Sequence, residues 1–314
     1  MAVTTDELTV ELESCLGQPI VSLERRRYEY QTSFELEELD ISFDSREPLR
    51  LIFKNIGPRA REHGAGSVKP GFLYEPRREI EAYESILAPL DLGTPRCYGT
   101  VSDGRRGRYW LFLEKIEGVE LWQCELETWQ HAARWLASLH ERCRDARADH
   151  LLHYDHDAYL TWLRRAQELV DRTDLDRIAA GYDRVVDHLL ALPTGFIHGE
   201  FTASNVLVQE SANGLRVCPV DWEMAAVGPG LLDLAALTAG SWSDDERDSI
   251  GLTYFDAMPV EDRPTRAEFS HALECARLFV ALRWLGWAPL WSPPPEQARD
   301  WLAEATASAE RLGL

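Results

Sequence analysis

The residues best equipped for chemistry lie between positions 196 and 223, in FIHGEFTASNVLVQESANGLRVCPVDWE. In chain order they are His198, Glu200, Asn205 and Asp221. A loop carboxylate such as Glu200 is able to receive or orient the proton of a hydroxyl group. An asparagine amide oxygen and an aspartate carboxylate are hard oxygen donors of the kind Mg2+ takes. The apolar runs NVLVQ and LRVCPVDWE, around a Ser-Ala-Asn-Gly turn, read as a hairpin. Such a hairpin returns a second carboxylate, Asp221, to the place where Asn205 began it. Each residue alone is weak evidence, because Asn, Asp and His are common in turns; the ordered set is much stronger.

A second pair lies upstream. Of the 33 basic residues only three are lysine, at 54, 69 and 115. Ammonium and guanidinium are not interchangeable, so a lysine inside a strand of an arginine-rich chain points to a use for a compact charge. Lys54 stands in such a strand, LRLIFKNI. A buried lysine needs a carboxylate partner, and the next helix supplies one. With Ile80, Tyr83, Ile86 and Leu87 as its apolar face, Glu79 lies about 50° from the face centre, while Glu84 and Glu81 lie about 90° and 150° away.

These residues have to be positioned by two kinds of element. Alternation through Leu39, Ile41 and Phe43, and again through Leu49, Leu51 and Phe53, marks strands with one buried face, so a β-meander is expected to open the protein. Residues 57–74, with glycines at 57, 64, 66 and 71, read as a loop. Pro76 then starts a helix over about 77–88. CYGTVSD and RYWLFLEKI form a hairpin around a turn at 104–107. From about 127 the pattern becomes helical, with further helices expected over 157–171, 175–192, LLDLAALTAG, 265–287 behind a Thr265-x-x-Glu268 capping box, and about 295–311. The class is therefore α+β, with an antiparallel β lobe over residues 1–117 and an α-rich lobe over 118–314.

Composition narrows the partners. Fifty-three acidic residues against 33 basic ones give a net charge of −20, a field that repels nucleic acid and anionic membrane surfaces and draws in cationic small molecules. The opening MAVTTDELTVELE has no secretory pattern, and no apolar run is long enough to span a bilayer. Six cysteines without close spacings read as reduced thiols, not as a zinc site or a disulfide framework. A cytoplasmic protein is expected.

With those residues in view, the chain resembles the aminoglycoside phosphotransferase and choline kinase family, which shares the bilobal protein-kinase-like fold. The stretches LIFKN, REIEAYESIL, LFLEKIEG, ARWLASLH, FIHGEFTASNVLV and CPVDWEMAAVGPGLLDLAAL carry the resemblance over most of the sequence. The resemblance implies an ATP- and Mg2+-dependent phosphotransferase acting on a hydroxyl of a small, aminoglycoside-, amino alcohol- or sugar-like acceptor. By it, Lys54 binds nucleotide phosphates and Glu79 orients it, while Glu114 to Ile116 form a hinge that offers backbone groups to adenine. His198 braces the catalytic loop, Glu200 takes the place of the base, Asn205 and Asp221 hold Mg2+, and Asp233 supports the loop from within.

Two departures stand out. This chain reads His198-Gly199-Glu200 where the family has His-Gly-Asp, which extends the carboxylate by one methylene. It also lacks G-x-G-x-x-G, so RRRYEYQTSF, with the hydroxyls of Thr32 and Ser33, is the candidate nucleotide loop; a P-loop is absent. Two other readings stay open: a catalytically silent nucleotide-binding protein, and an AMP-transferring enzyme using the same site. The run HLLHYDHD at 150–157 reads as the loop before a helix and not as a metal site. The tryptophans at 284, 287, 291 and 301 read first as packing and second as a wall of the acceptor site.

Overall fold

A computed structural model describes residues 3–28, 33–34, 36–61, 68–170, 172–211, 214–240, 242–287, 290 and 298–314. The chain divides into two compact units, Met1–Glu117 and Gly118–Leu314.

The first unit opens on a helix, not on the meander. Helix α1 (Thr5–Leu16) is started by a capping box between Thr4 and Glu7 and stopped by Gly17 in the left-handed region at φ 68°. Its acid-rich sequence carries only a narrow apolar stripe, but Leu8 and Leu12 on that stripe are fully buried, each worth about 1.5–3 kcal/mol against exposure. They pack on Leu39, Ile41, Leu51, Phe53, Trp110 and Phe112, the inward positions of the sheet. The strands β1 (Ser22–Arg27), β2 (Leu36–Ser42), β3 (Leu49–Asn55), β4 (Cys97–Asp103) and β5 (Arg108–Glu114) form one antiparallel sheet in the order β1-β2-β3-β5-β4. Successive strand side chains point to opposite faces. Lys54 therefore leaves the face that Leu51 and Phe53 give to the core.

Helix α2 (Pro76–Glu81) has Pro at its start and runs into a wider π turn over Ala82–Leu87. The expected single α-helix over 77–88 is thus corrected. The Ala88 N–H bonds the Tyr83 carbonyl at 2.9 Å, five residues back, and the wider turn brings Ala82, Tyr83, Ile86 and Leu87 all into burial.

The second unit is mainly helical. It contains β6 (Val119–Glu120), α3 (Leu126–Arg142), β7 (Leu152–His153), α4 (His156–Leu169), α5 (Arg172–Ala179), α6 (Tyr182–Leu190), β8 (Thr194–Ile197), β9 (Val206–Ser211), β10 (Gly214–Pro219), β11 (Ala226–Pro229), α7 (Leu231–Leu237), α8 (Asp244–Ala257), α9 (Arg266–Leu285) and α10 (Trp301–Arg311). The helix expected over 175–192 is two helices, because Gly181 breaks the run and caps α6. Helix α8, which no periodicity announced, begins at a Ser243–Glu246 capping box. The box at Thr265–Glu268 starts α9 as expected. Helix α9 is buried along most of its length and packs against α4, α6, α7 and α10, which is why its pattern is apolar nearly all round. Helix α10 starts at Trp301 behind an Asp300 cap, later than the expected 295; residues 291–297 lie outside the described residues. Two small three-stranded sheets, β10-β9-β6 and β7-β11-β8, set the loop between β8 and β9 against the end of β10. Among the described residues no helix is long and apolar enough to cross a membrane.

Candidate active site

The loop that follows β8 is held by four groups, each acting on a different atom. The Nε2 of His198 lies 2.9 Å from the Val220 carbonyl. A carbonyl only accepts, so Nε2 carries the proton and Nδ1 is left to accept the Glu200 N–H at 3.3 Å. That tautomer is the neutral imidazole, and burial favours it by holding the His198 pKa below its ordinary value, against the opposing pull of Asp233. Asp233, fully buried on α7, accepts the His198 N–H through Oδ2 at 2.7 Å and the Gly199 N–H through Oδ1 at 2.8 Å. The Arg283 guanidinium donates to the Gly199 carbonyl and to the Tyr154 hydroxyl.

Gly199 sits at φ 81°, and a Cβ there would lie 2.0 Å from the Met224 carbonyl oxygen. The site requires glycine for its conformation and for its space. Glu200 then follows with 5% exposure, its carbonyl accepting from the Thr202 N–H at 2.8 Å and the Asn205 Nδ2 at 3.0 Å.

Val220, just past the end of β10, closes the arrangement. Its carbonyl holds His198, while its N–H donates to the Asn205 carbonyl at 2.9 Å. The residue after it is Asp221, the one described non-glycine residue at positive φ, 65°. An aspartate in this region costs on the order of 1 kcal/mol or more, and such residues persist where their surroundings fix them. The adjacent Trp222 is fully buried, stacked on Phe196 at 5.4 Å and set 4.5 Å from the His198 ring. With Nδ2 of Asn205 spent on the Glu200 carbonyl, its amide oxygen is directed the other way. An amide oxygen and a carboxylate, both half-buried and held through Val220, suit a hard, oxygen-seeking cation such as Mg2+.

In the first unit Lys54 and Glu79 meet. The Nζ lies 2.7 and 2.9 Å from the two carboxylate oxygens, with Lys54 at 6% and Glu79 at 1% exposure. Glu79 faces inward, as the helical angles indicated. The Lys54 ammonium also lies 5.5 Å from the Phe34 ring centre. Ser33, next to Phe34, is buried; Thr32 lies outside the described residues. Glu114 ends β5, where its carboxylate accepts the Arg96 N–H at 3.0 Å, and Ile116 is buried two residues on.

The remaining sequence candidates fall elsewhere. In the run 150–157, Leu152 and His153 pair with β11 and Asp155 caps α4; no ligand cluster forms there among the described residues. Trp284 stacks on Trp301 at 5.2 Å and packs on Trp287 at 4.9 Å. With Trp122, Trp284 and Trp301 line a hollow of about 40 Å3 that also touches Thr202, Ala203 and Ser204, just after Glu200. Trp291 lies outside the described residues. Two contributors had no assigned part: Arg283, and His140, whose Nε2 reaches Asp233 at 3.3 Å while its Nδ1 meets the Tyr254 hydroxyl at 2.9 Å. An arginine inside the apolar run LFVALRWL was a signal, since a buried charge needs a polar partner.

The model of the phosphotransferase enzyme family matches residues 70–269. No curated protein matches the chain. Among solved structures, a microcompartment-associated aminopropanol kinase is similar at 18% identity and TM-score 0.65, covering 97% of each chain. The choline kinase LicA from Streptococcus pneumoniae is similar at 14% identity and TM-score 0.60, covering 98% of each. The GDP complex of aminoglycoside 2'-phosphotransferase-IIIa is similar at 12% identity and TM-score 0.60, again over 98% of each. At these identities the likeness is one of fold.

Proposed function

Because this chain belongs to the phosphotransferase enzyme family, we propose that it moves the γ-phosphoryl group of ATP to a hydroxyl of a small molecule, with Mg2+ required. The observation that carries this reading is the clamped His198-Gly199-Glu200 loop, with Asn205 and Asp221 tied to it through Val220. Nucleotide handling is assigned to the first unit, through Lys54, Glu79, Ser33 and the Glu114 to Ile116 stretch, and catalysis and acceptor binding to the second. The cytoplasm, where ATP is made and six free thiols stay reduced, is the compartment that fits.

In the reaction the acceptor oxygen forms a bond to the γ-phosphorus as the bond to the β,γ-bridging oxygen breaks and ADP leaves. Glu200 receives the hydroxyl proton, and its rigid loop supplies orientation in advance. Lys54, paired with Glu79, places a positive charge on the α and β phosphates. Mg2+ held by Asn205 and Asp221 would neutralise phosphate charge. His198 stays neutral and holds the loop. The acceptor class best supported is an amine-bearing alcohol: the net charge of −20 favours cations, and aminopropanol and choline kinases are among the similar structures.

The test is to incubate the protein with ATP labelled at the γ-phosphate or at the α-phosphate, and with GTP, against amino alcohols, aminoglycosides and sugars. Transfer of the γ label to an acceptor supports the reading. Transfer of the α label establishes AMP transfer instead, and binding without any transfer establishes a silent nucleotide-binding protein.

A further inference from the structure

Away from the loop, two helices of the second unit bring together a different set of donors. His271 and Cys275 are four residues apart on α9, one turn along the same face. His188 lies in the last turn of α6. One ligand atom from each of the three falls within 4.8 Å of the others, and the two imidazole rings meet edge to face at 4.8 Å between centres. Cys275 is buried at 1% exposure, and Nε2 of His188 is buried without a hydrogen-bond partner among the described residues. A buried ring nitrogen with no partner is rare in a folded protein.

We propose that His188, His271 and Cys275 form a binding site for a zinc-class divalent ion that ties α6 to α9. Two imidazoles and a thiolate are borderline-to-soft donors, which select Zn2+ and reject the Mg2+ that suits oxygen ligands. Zn–N bonds of about 2.0–2.1 Å and a Zn–S bond of about 2.3 Å put tetrahedral ligand atoms about 3.4–3.6 Å apart. Ligand atoms that already lie within 4.8 Å of one another reach that spacing by side-chain rotation, and His271 is exposed. Binding exchanges the Cys275 thiol proton for the metal and releases that proton to solvent. Three protein ligands leave a fourth position to water. An entry path exists on both sides: His271 faces solvent, and His188 borders a cavity of about 660 Å3 shared with His140, Phe196, Met258 and Phe269.

The experiment is titration of the full chain, cleared of metal by chelator and held in excess Mg2+, with Co2+. The expected result is one equivalent bound with a thiolate-to-cobalt charge-transfer band that Zn2+ abolishes by displacement. Cys275→Ser should lose the band, while Cys124→Ser, at a cysteine outside the site, should keep it. His271→Ala, at an exposed position where the fold is undisturbed, should weaken Zn2+ binding by at least about tenfold and remove any Zn2+-dependent rise in melting temperature. This arm keeps the test decisive if Cys275→Ser fails to fold. Absence of the band in the unaltered protein, or equal Zn2+ affinity in His271→Ala, overturns the proposal.

Discussion

Asp233 accepts the N–H of Gly199 at 2.8 Å while Gly199 is at φ 81°, a conformation closed to other residues at that spot. A carboxylate from a helix 34 residues downstream thus sets the peptide that aims Glu200. His140 holds Asp233 in turn and is itself held by the Tyr254 hydroxyl, so the direction of the loop is an output of α3, α7 and α8 together.

Asp233→Asn tests that dependence. The amide offers one acceptor oxygen where the carboxylate offered two, and turns an NH2 group toward a backbone donor. One buried N–H is left unpaired, at a cost of about 1–3 kcal/mol, and turnover should fall about a hundredfold from misplacement of Glu200 on the order of 1 Å. Urea denaturation and kcat check it; unchanged kcat in a destabilised variant would detach the loop from Asp233.

Gly199→Ala should be worse for the loop. The left-handed backbone alone costs about 1–2 kcal/mol for alanine, and the new methyl meets the Met224 carbonyl. Melting temperature and kcat should both drop, with nucleotide affinity measured by calorimetry changed least.

The buried Lys54–Glu79 pair separates stability from function. Lys54→Met takes the ammonium away from the buried Glu79 carboxylate, a loss of about 3–5 kcal/mol, whereas Lys54→Met with Glu79→Leu should regain most of that stability. Neither should recover turnover if Lys54 has the phosphate-binding role proposed for it. Chemical denaturation beside a nucleotide binding assay reads both; full activity in the double variant would make the pair purely structural.

Much of this was legible in the sequence for a physical reason: Glu79 declared itself by helical angle, and Asn205 and Asp221 by sitting at the two ends of a hairpin that must bring them together. Helix α1 was not, because an acid-rich surface helix needs only Leu8 and Leu12 to dock, although its Thr4–Glu7 box and Gly17 were there to be seen. The break at Gly181 and the π turn after Glu81 depend on tertiary packing, which periodicity does not report. The clamping by Arg283 and His140 depends on which distant side chains the fold delivers to one backbone segment.

His198 should leave a mark on stability against pH. Its ordinary pKa of 6.5 is lowered in the folded state by burial, so the unfolded chain binds more protons in the window below 6.5. Stability from this group is present above that value and is lost as pH falls through the window toward the folded pKa, at up to about 1.4 kcal/mol per pH unit. His198→Gln keeps a donor for Val220 and does not titrate. Urea midpoints from about pH 5 to pH 8 should show a shallower acid slope in the variant, and identical slopes would mean His198 carries no such linkage.

The central claim is that Glu200 receives the acceptor proton from a loop built for its longer arm. The direct measurement is kcat with the acceptor found by label transfer, alongside nucleotide Kd, for the unaltered chain, Glu200→Gln and Glu200→Asp. Glu200→Gln should lose about 10² to 10⁴ in kcat, Glu200→Asp should lose about a hundredfold by withdrawing the carboxylate about 1 Å, and Kd should stay within a few fold in both. Full activity in Glu200→Gln, or a large gain in Glu200→Asp, would contradict it.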